Sequence, residues 1–99
     1  MTEHDLKVRV LKRLRAFGGY WQKQWGGPYA AAGVADILGC YSGHFIAIEL
    51  KNPKFTNPKA ELTPAQWNYL SQIKANGGFV IVSNDSDDVI QQLTALHLV

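Results

Sequence analysis

Cysteine is almost absent. Cys40 is the only one among 99 residues, which excludes an intramolecular disulfide framework and fits a reducing cytosol. The three histidines, His4, His44 and His97, have no partner at ligand spacing, so no structural zinc site is expected and all three are read as surface residues. No apolar run approaches the roughly 20 residues of a membrane span. The opening Met1-Thr2-Glu3-His4-Asp5 lacks the basic-then-apolar order of a signal peptide. A cytoplasmic protein with no membrane partner is the expectation. Repeats, low-complexity tracts and linkers are also missing, and 99 residues suffice for one modest core but not two. A single domain over 1–99 follows.

Basic residues are scarce in the last part of the chain. Residues 1–60 hold nine Lys/Arg against four acids, whereas 61–99 hold one lysine, Lys74, against four acids. The overall net charge of +2 hides this asymmetry. A polyanion would be drawn to the basic half through a salt-sensitive interaction. The same lysines and arginines also suit a solvated helix face.

Leu6, Val10, Leu11, Leu14 and Phe17 recur at helical spacing and predict an amphipathic helix over 3–17, with Thr2 as N-cap and Gly18-Gly19 as its stop. Alternation from Tyr20 to Trp25 suits a strand. Gly26 to Gly33 reads as a small-residue loop. Residues 34–40 and 45–50 predict a hairpin around Ser42-Gly43, and Phe45-Ile46-Ala47-Ile48 is apolar on both faces, as a covered central strand requires. Thr63-Pro64-Ala65-Gln66 is an N-cap, an N1 proline and a capping-box glutamine. The helix it opens is expected to bury Trp67, Leu70 and Ile73. A buried strand over 79–83 and a helix from about Ser86 complete an α-β-β-β-α-β-α order, which predicts a three-layer α/β domain with a mixed sheet. Cys40, inside a hairpin strand, is expected to be packed as a small hydrophobe.

Chemistry concentrates around this hairpin. With Ser42-Gly43 as a two-residue turn, Asp36 falls opposite Glu49 with Cβ atoms roughly 4.5–5.5 Å apart. Two carboxylates so close in an apolar sheet repel unless a proton or a cation lies between them. Lys51, two residues past Glu49, shares its face by strand alternation. Carboxylates able to gather a divalent metal, beside a lysine able to handle a water, point to metal-dependent hydrolysis of phosphodiesters.

Asp36…Glu49-Leu50-Lys51 resembles the PD-(D/E)xK nuclease signature. Over nearly its whole length the chain is similar to the virus-type replication–repair nuclease (VRR-NUC) family. The carrying segments are Glu3-xx-Leu6, Gly33-Val34-Ala35-Asp36, Phe45 to Lys51 and Leu62-Thr63-Pro64-Ala65-Gln66, followed by Gly77-Gly78 and a valine-rich strand. One departure is Ala35, where the family usually has proline; that residue supplies no metal ligand. The resemblance implies a restriction-endonuclease-like fold and an endonuclease acting on DNA with Mg²⁺ or Mn²⁺. Stand-alone members of this length look like Holliday-junction resolvases. It therefore implies branched DNA as partner, a homodimer, and a phage-type role in a bacterial host cytosol.

On that resemblance, Asp36, Glu49 and the backbone carbonyl of Leu50 would hold the metal. Lys51 would position or deprotonate water, or neutralise charge on the phosphate. Glu3 would add a helical acid, with Asp5 as the alternative, and Gln66 would face the site or close its capping box. Lys7, Arg9, Lys12, Arg13 and Lys54 are the candidate phosphate contacts. Trp21 and Trp25 could stack on unpaired bases or belong to the core or a dimer interface. Two competing readings are a non-catalytic DNA-binding module and a flap or single-strand nuclease.

Overall fold

Helix starts in this chain are set by side chains that take up orphaned backbone amides. The computed structural model describes residues 1–24 and 32–96. Helix α1 covers Glu3–Phe17. Thr2 Oγ1 accepts the Asp5 N–H at 3.1 Å, and Asp5 Oδ2 accepts the Thr2 N–H at 3.0 Å, closing a capping box. Its inward stripe is Leu6, Val10 and Leu14, and the Gly18 N–H ends it on the Leu14 carbonyl.

Strand β1 is Tyr20–Lys23, β2 is Ile37–Tyr41 and β3 is His44–Leu50. Ser42 and Gly43 both have positive φ, 50° and 81°, as a two-residue hairpin turn of the primed kind demands. Register then follows: Tyr41 pairs with His44 and Ile37 with Ile48. Strand β4, Phe79–Ser83, runs parallel to β3. Parallel neighbours need a crossover; helix α2, Pro64–Ala75, supplies it after a 3₁₀ turn over Pro58–Glu61. Helix α3 is Ser86–Ala95. The sheet is mixed, in the order β1-β2-β3-β4.

Two cores flank this sheet. On one face Leu6, Val10 and Leu14 of α1 and Val89 and Leu93 of α3 meet Ile46, Ile48, Leu50, Ile81 and Trp21. On the other, Leu70 of α2 packs on Ala35, Ala47 and Val82. The result is a small α/β domain in three layers, with β3 covered on both faces. Among the described residues no helix is long and apolar enough to cross a membrane.

Several expectations need correction. The first strand stops at Lys23, and Trp25, the Gly26–Ala31 part of the loop, and His97 lie outside the described residues. Trp67 is 59% exposed rather than buried. The inward stripe of α2 runs through Gln66, Tyr69-Leu70 and Ile73, and Trp67 is one residue, about 100°, off it. Cys40 is exposed, since it pairs with Phe45, itself 48% exposed, at the end of the hairpin the helices leave uncovered. Of the readings open for Trp21, the core one holds, at 4% exposure. Its indole N–H donates to the Gly18 carbonyl at 2.7 Å, and its ring lies on its cross-strand partner Gly39.

That contact leaves no room for a side chain. A Cβ on Gly39 would come within 2.2 Å of the Trp21 ring and 2.4 Å of the Tyr20 carbonyl. Gly39→Ala should therefore cost about 1–3 kcal/mol through overpacking, read as a lowered urea midpoint at unchanged slope.

Candidate active site

Glu49 alternates with Ile48 and Leu50, so its carboxylate leaves the apolar core of α1 and α3 and enters the opposite layer, beneath the start of α2. It is 4% exposed. Oε1 accepts from Gln66 Nε2 at 3.3 Å and lies 4.0 Å from Lys51 Nζ. Oε2 is buried with no hydrogen-bond partner. Asp36 stands one position before β2, opposite Glu49 in the continued register. Its backbone carbonyl accepts the Gln24 N–H at 2.8 Å. Its Oδ2 accepts the Leu50 N–H at 2.8 Å, and Oδ1 pairs with Lys7 Nζ at 3.1 Å.

Gln66 performs both of the tasks assigned to it as alternatives. Its backbone N–H donates to Thr63 Oγ1 at 3.1 Å, and its Oε1 accepts the Thr63 N–H at 2.9 Å. The same Oε1 accepts from Lys51 Nζ at 2.8 Å, while Nε2 reaches Glu49. A helix cap thus fixes an amide that bridges the lysine and the carboxylate. Backbone packing holds the cap in place. Gly33 has φ +78°, and a Cβ there would fall 2.3 Å from the Ala65 carbonyl oxygen and 2.7 Å from the Gln66 nitrogen. Lys51 is anchored from the other side, its N–H donating to the Ser83 carbonyl at 3.0 Å.

Electrostatics follow from this placement. Burial, then the adjacent Asp36 carboxylate, pushes the Glu49 carboxyl up to about 8, against the smaller pull of Lys51 and Lys7. For Lys7, burial pulls the ammonium down, but attraction and a hydrogen bond to Asp36 outweigh it and the net shift is upward. Lys7 neutralises Asp36 and Lys51 stands 4.0 Å from Glu49, yet the second Glu49 oxygen is buried against Asp36 without a hydrogen-bond donor. A hard divalent cation suits that donor set. Among the described residues no group of three or more His, Cys, Asp and Glu side chains converges, so two carboxylates and the backbone carbonyl of Leu50 are the donors in question.

Glu3 meets this cluster through Lys7, 3.7 Å from its ammonium, and is 42% exposed at its side chain. Asp5 is taken up by the α1 cap, whose backbone and side-chain hydrogen bonds from Thr2 hold its carboxyl below the usual range. Of the basic candidates, Lys7 and Lys12 line an open groove with Arg15 and Lys23, along α1 and β1. Arg13 instead bonds Ser86 and Asp87 of α3. Arg9 is exposed, and exposed Lys54 lies over the Phe55 ring at 5.3 Å. Arg15, not among the basic residues singled out from sequence, lies on the helical stripe of residues 7, 8, 11, 12 and 15 that lines this groove. Lys23 joins that stripe only through the fold.

Because the folded-state pKa of Glu49 lies above its ordinary value of 4.5, the folded protein holds a proton that the unfolded chain releases. Metal-free stability from this group is full below about pH 4.5 and declines as pH rises through about 8. Thermal unfolding in EDTA should show a melting temperature that falls across this window. Glu49→Gln should flatten that fall and raise the melting temperature at pH 8; an unchanged profile would contradict it.

Comparisons with family models, with curated proteins and with solved structures return no match for this chain, so its chemistry is argued from the site itself.

Proposed function

We propose that this protein is a metal-dependent nuclease of PD-(D/E)xK type, hydrolysing phosphodiester bonds in DNA. The observation that carries the reading is the buried Glu49 carboxylate, with one oxygen unpartnered, set against Asp36 and flanked by Lys51 and Gln66. Ionising Glu49 there is costly, since burial and Asp36 push its pKa up to about 8, and a bound divalent ion would offset that cost. The four-stranded mixed sheet with helices on both faces supports the restriction-endonuclease-like fold that the sequence resemblance implies.

Asp36, Glu49 and the Leu50 carbonyl would hold Mg²⁺ or Mn²⁺, which when bound supplies Lewis-acid stabilisation of the phosphate and acidifies water. Displacing Lys7 from Asp36 is part of loading the site. Lys51, held by the Gln66 amide at 2.8 Å, places its ammonium beside Glu49, where it can orient a water or neutralise charge on the scissile phosphate. Gln66, committed to the Thr63 cap, bridges the lysine and the carboxylate and would fix the ammonium in that position. The basic groove lined by Lys7, Lys12, Arg15 and Lys23 would track the DNA backbone. Branched DNA is the substrate we favour, cut by a homodimer whose two-fold axis matches that of a four-way junction.

One observation favours a second reading. The Lys7 ammonium already neutralises Asp36 at 3.1 Å, as it would in a binding module that had dispensed with metal. Titration with Mn²⁺ separates the two: a nuclease site binds the ion and loses it in Glu49→Ala, while a pure module shows no such site.

Labelled four-way junction, flap, duplex and single-stranded DNA, incubated with Mg²⁺, Mn²⁺ or EDTA, test the activity. Paired, symmetric incision of the junction is expected, abolished by EDTA and by Glu49→Ala. Cleavage mainly of flaps or single strands would keep the site and change the substrate. Lys51→Ala should lower the rate by about 10²-fold or more with folding and DNA binding retained. Gly33→Ala should reduce cleavage by displacing the first turn of α2 and with it Gln66; full activity in that variant would remove Gln66 from the site.

A further inference from the structure

A second feature lies on the same layer as the carboxylates. Trp67 follows Gln66 on α2 and projects away from the core, 59% exposed. Beside it is a groove of about 120 Å³, its floor formed by Leu62, Leu70 and Val82 and its rim by Lys59 and Lys74. Val82 is the register partner of Glu49, so this floor is one strand spacing, about 4.8 Å, from the acidic strand. Lys59 and Lys74 are both exposed, and among the described residues no acidic one lines the groove. Glu61 is exposed in the neighbouring 3₁₀ turn.

We propose that this groove binds an unpaired nucleotide next to the scissile phosphate, its base stacked on Trp67 and its phosphates held by Lys59 and Lys74. The proposal rests on the nucleic-acid reading of the neighbouring carboxylates and specifies their substrate: branched DNA in which a base beside the cut is unstacked, as at an opened branch point or a flap. An indole face over an apolar floor with two cations at its edge matches an alternating base-and-phosphate chain. It does not match a second copy of this chain equally well. A two-fold contact through the same patch would bring four lysines together, and lysine is depleted in such interfaces. Rigid duplex keeps its bases stacked and offers Trp67 nothing to stack on. The basic groove along α1 and this one therefore divide the work, the first reading backbone and the second an unstacked base.

Binding is measured in EDTA, so that no cleavage intervenes, by fluorescence anisotropy with three labelled probes: oligothymidylate, an abasic strand of equal length and a blunt hairpin duplex. Trp67→Ala should weaken oligothymidylate binding by about five- to a hundredfold and leave the abasic and duplex probes within about twofold, a band below the stacking effect. Trp67→Phe should restore most of the loss. Lys59→Ala and Lys74→Ala should weaken both single strands alike and reduce the salt slope by about 0.7 each. Since Trp67 is exposed, its variants should fold, which circular dichroism and melting temperature verify. Equal losses on all three probes, or no loss on oligothymidylate, would overturn the proposal. So would a wild-type dimer that Trp67→Ala converts to monomer with single-strand affinity unchanged, because the groove would then be a self-interface. Failure of cleavage with any metal, alongside Trp67-dependent binding, would remove the nuclease reading and leave the groove standing. Metal-dependent cleavage with Trp67→Ala binding like wild type would do the reverse.

Discussion

Glu49 is a carboxylate confined to the covered end of a central strand, and much of the surrounding structure answers that fact. Taking such a group out of water costs several kcal/mol unless it is paired and hydrogen-bonded. Each nearby element supplies a group that faces this carboxylate. The hairpin contributes Asp36, which raises the cost and at the same time creates a place for a cation. Lys51, two residues on from Glu49, follows directly after the end of β3. The N-terminus of α2 contributes Gln66, whose amide donates to the carboxylate and accepts from the lysine. One buried oxygen remains without a hydrogen-bond donor, and burial together with the Asp36 carboxylate pushes the Glu49 pKa up to about 8.

Coupling between cap and site gives the first turn of α2 two duties. In a surface helix a capping box stabilises an end and little more. Here the same oxygen that accepts the Thr63 N–H also accepts from Lys51, so helix formation and active-site geometry are one event. Gly33 belongs to that event as well, because its missing side chain lets the backbone before Asp36 lie against Ala65. A loop, a helix start and a strand end are thereby brought into register without a disulfide or a large core.

On the opposite layer the chain spends its apolar residues in the ordinary way. Leu6, Val10 and Leu14 of α1 and Val89 and Leu93 of α3 cover one face of the sheet, and Arg13 ties α1 to α3 through Ser86 and Asp87. That layer supplies stability and leaves the α2 side free to carry polar groups. Lys7 connects the two, rising from α1 around the sheet end to Asp36.

How much of this was legible follows from which interactions are local. Helix α1, the hairpin register and the α2 cap are written in neighbouring residues: the spacing of Leu6, Val10 and Leu14, the positive-φ pair Ser42-Gly43, and Thr63-Pro64-Ala65-Gln66. Turn geometry alone set Asp36 against Glu49, and alternation alone put Lys51 on the face of Glu49. The rest depended on what packs above each side chain. Trp67 looked like core because it is apolar and near Leu70, yet only the angle of α2 on the sheet decides which helix stripe is covered. Trp21 stayed open between stacking, core and interface because nothing in its own segment shows Gly39 beneath it. Arg13 looked available for phosphate until α3 placed Asp87 beside it. Gln66 presented a choice between cap and site that sequence could not resolve, because both use the same amide and only a folded Lys51 shows that it serves both. Local periodicity and turns determine the elements; the partner of a buried charge, which lies far along the chain, is decided by the tertiary structure.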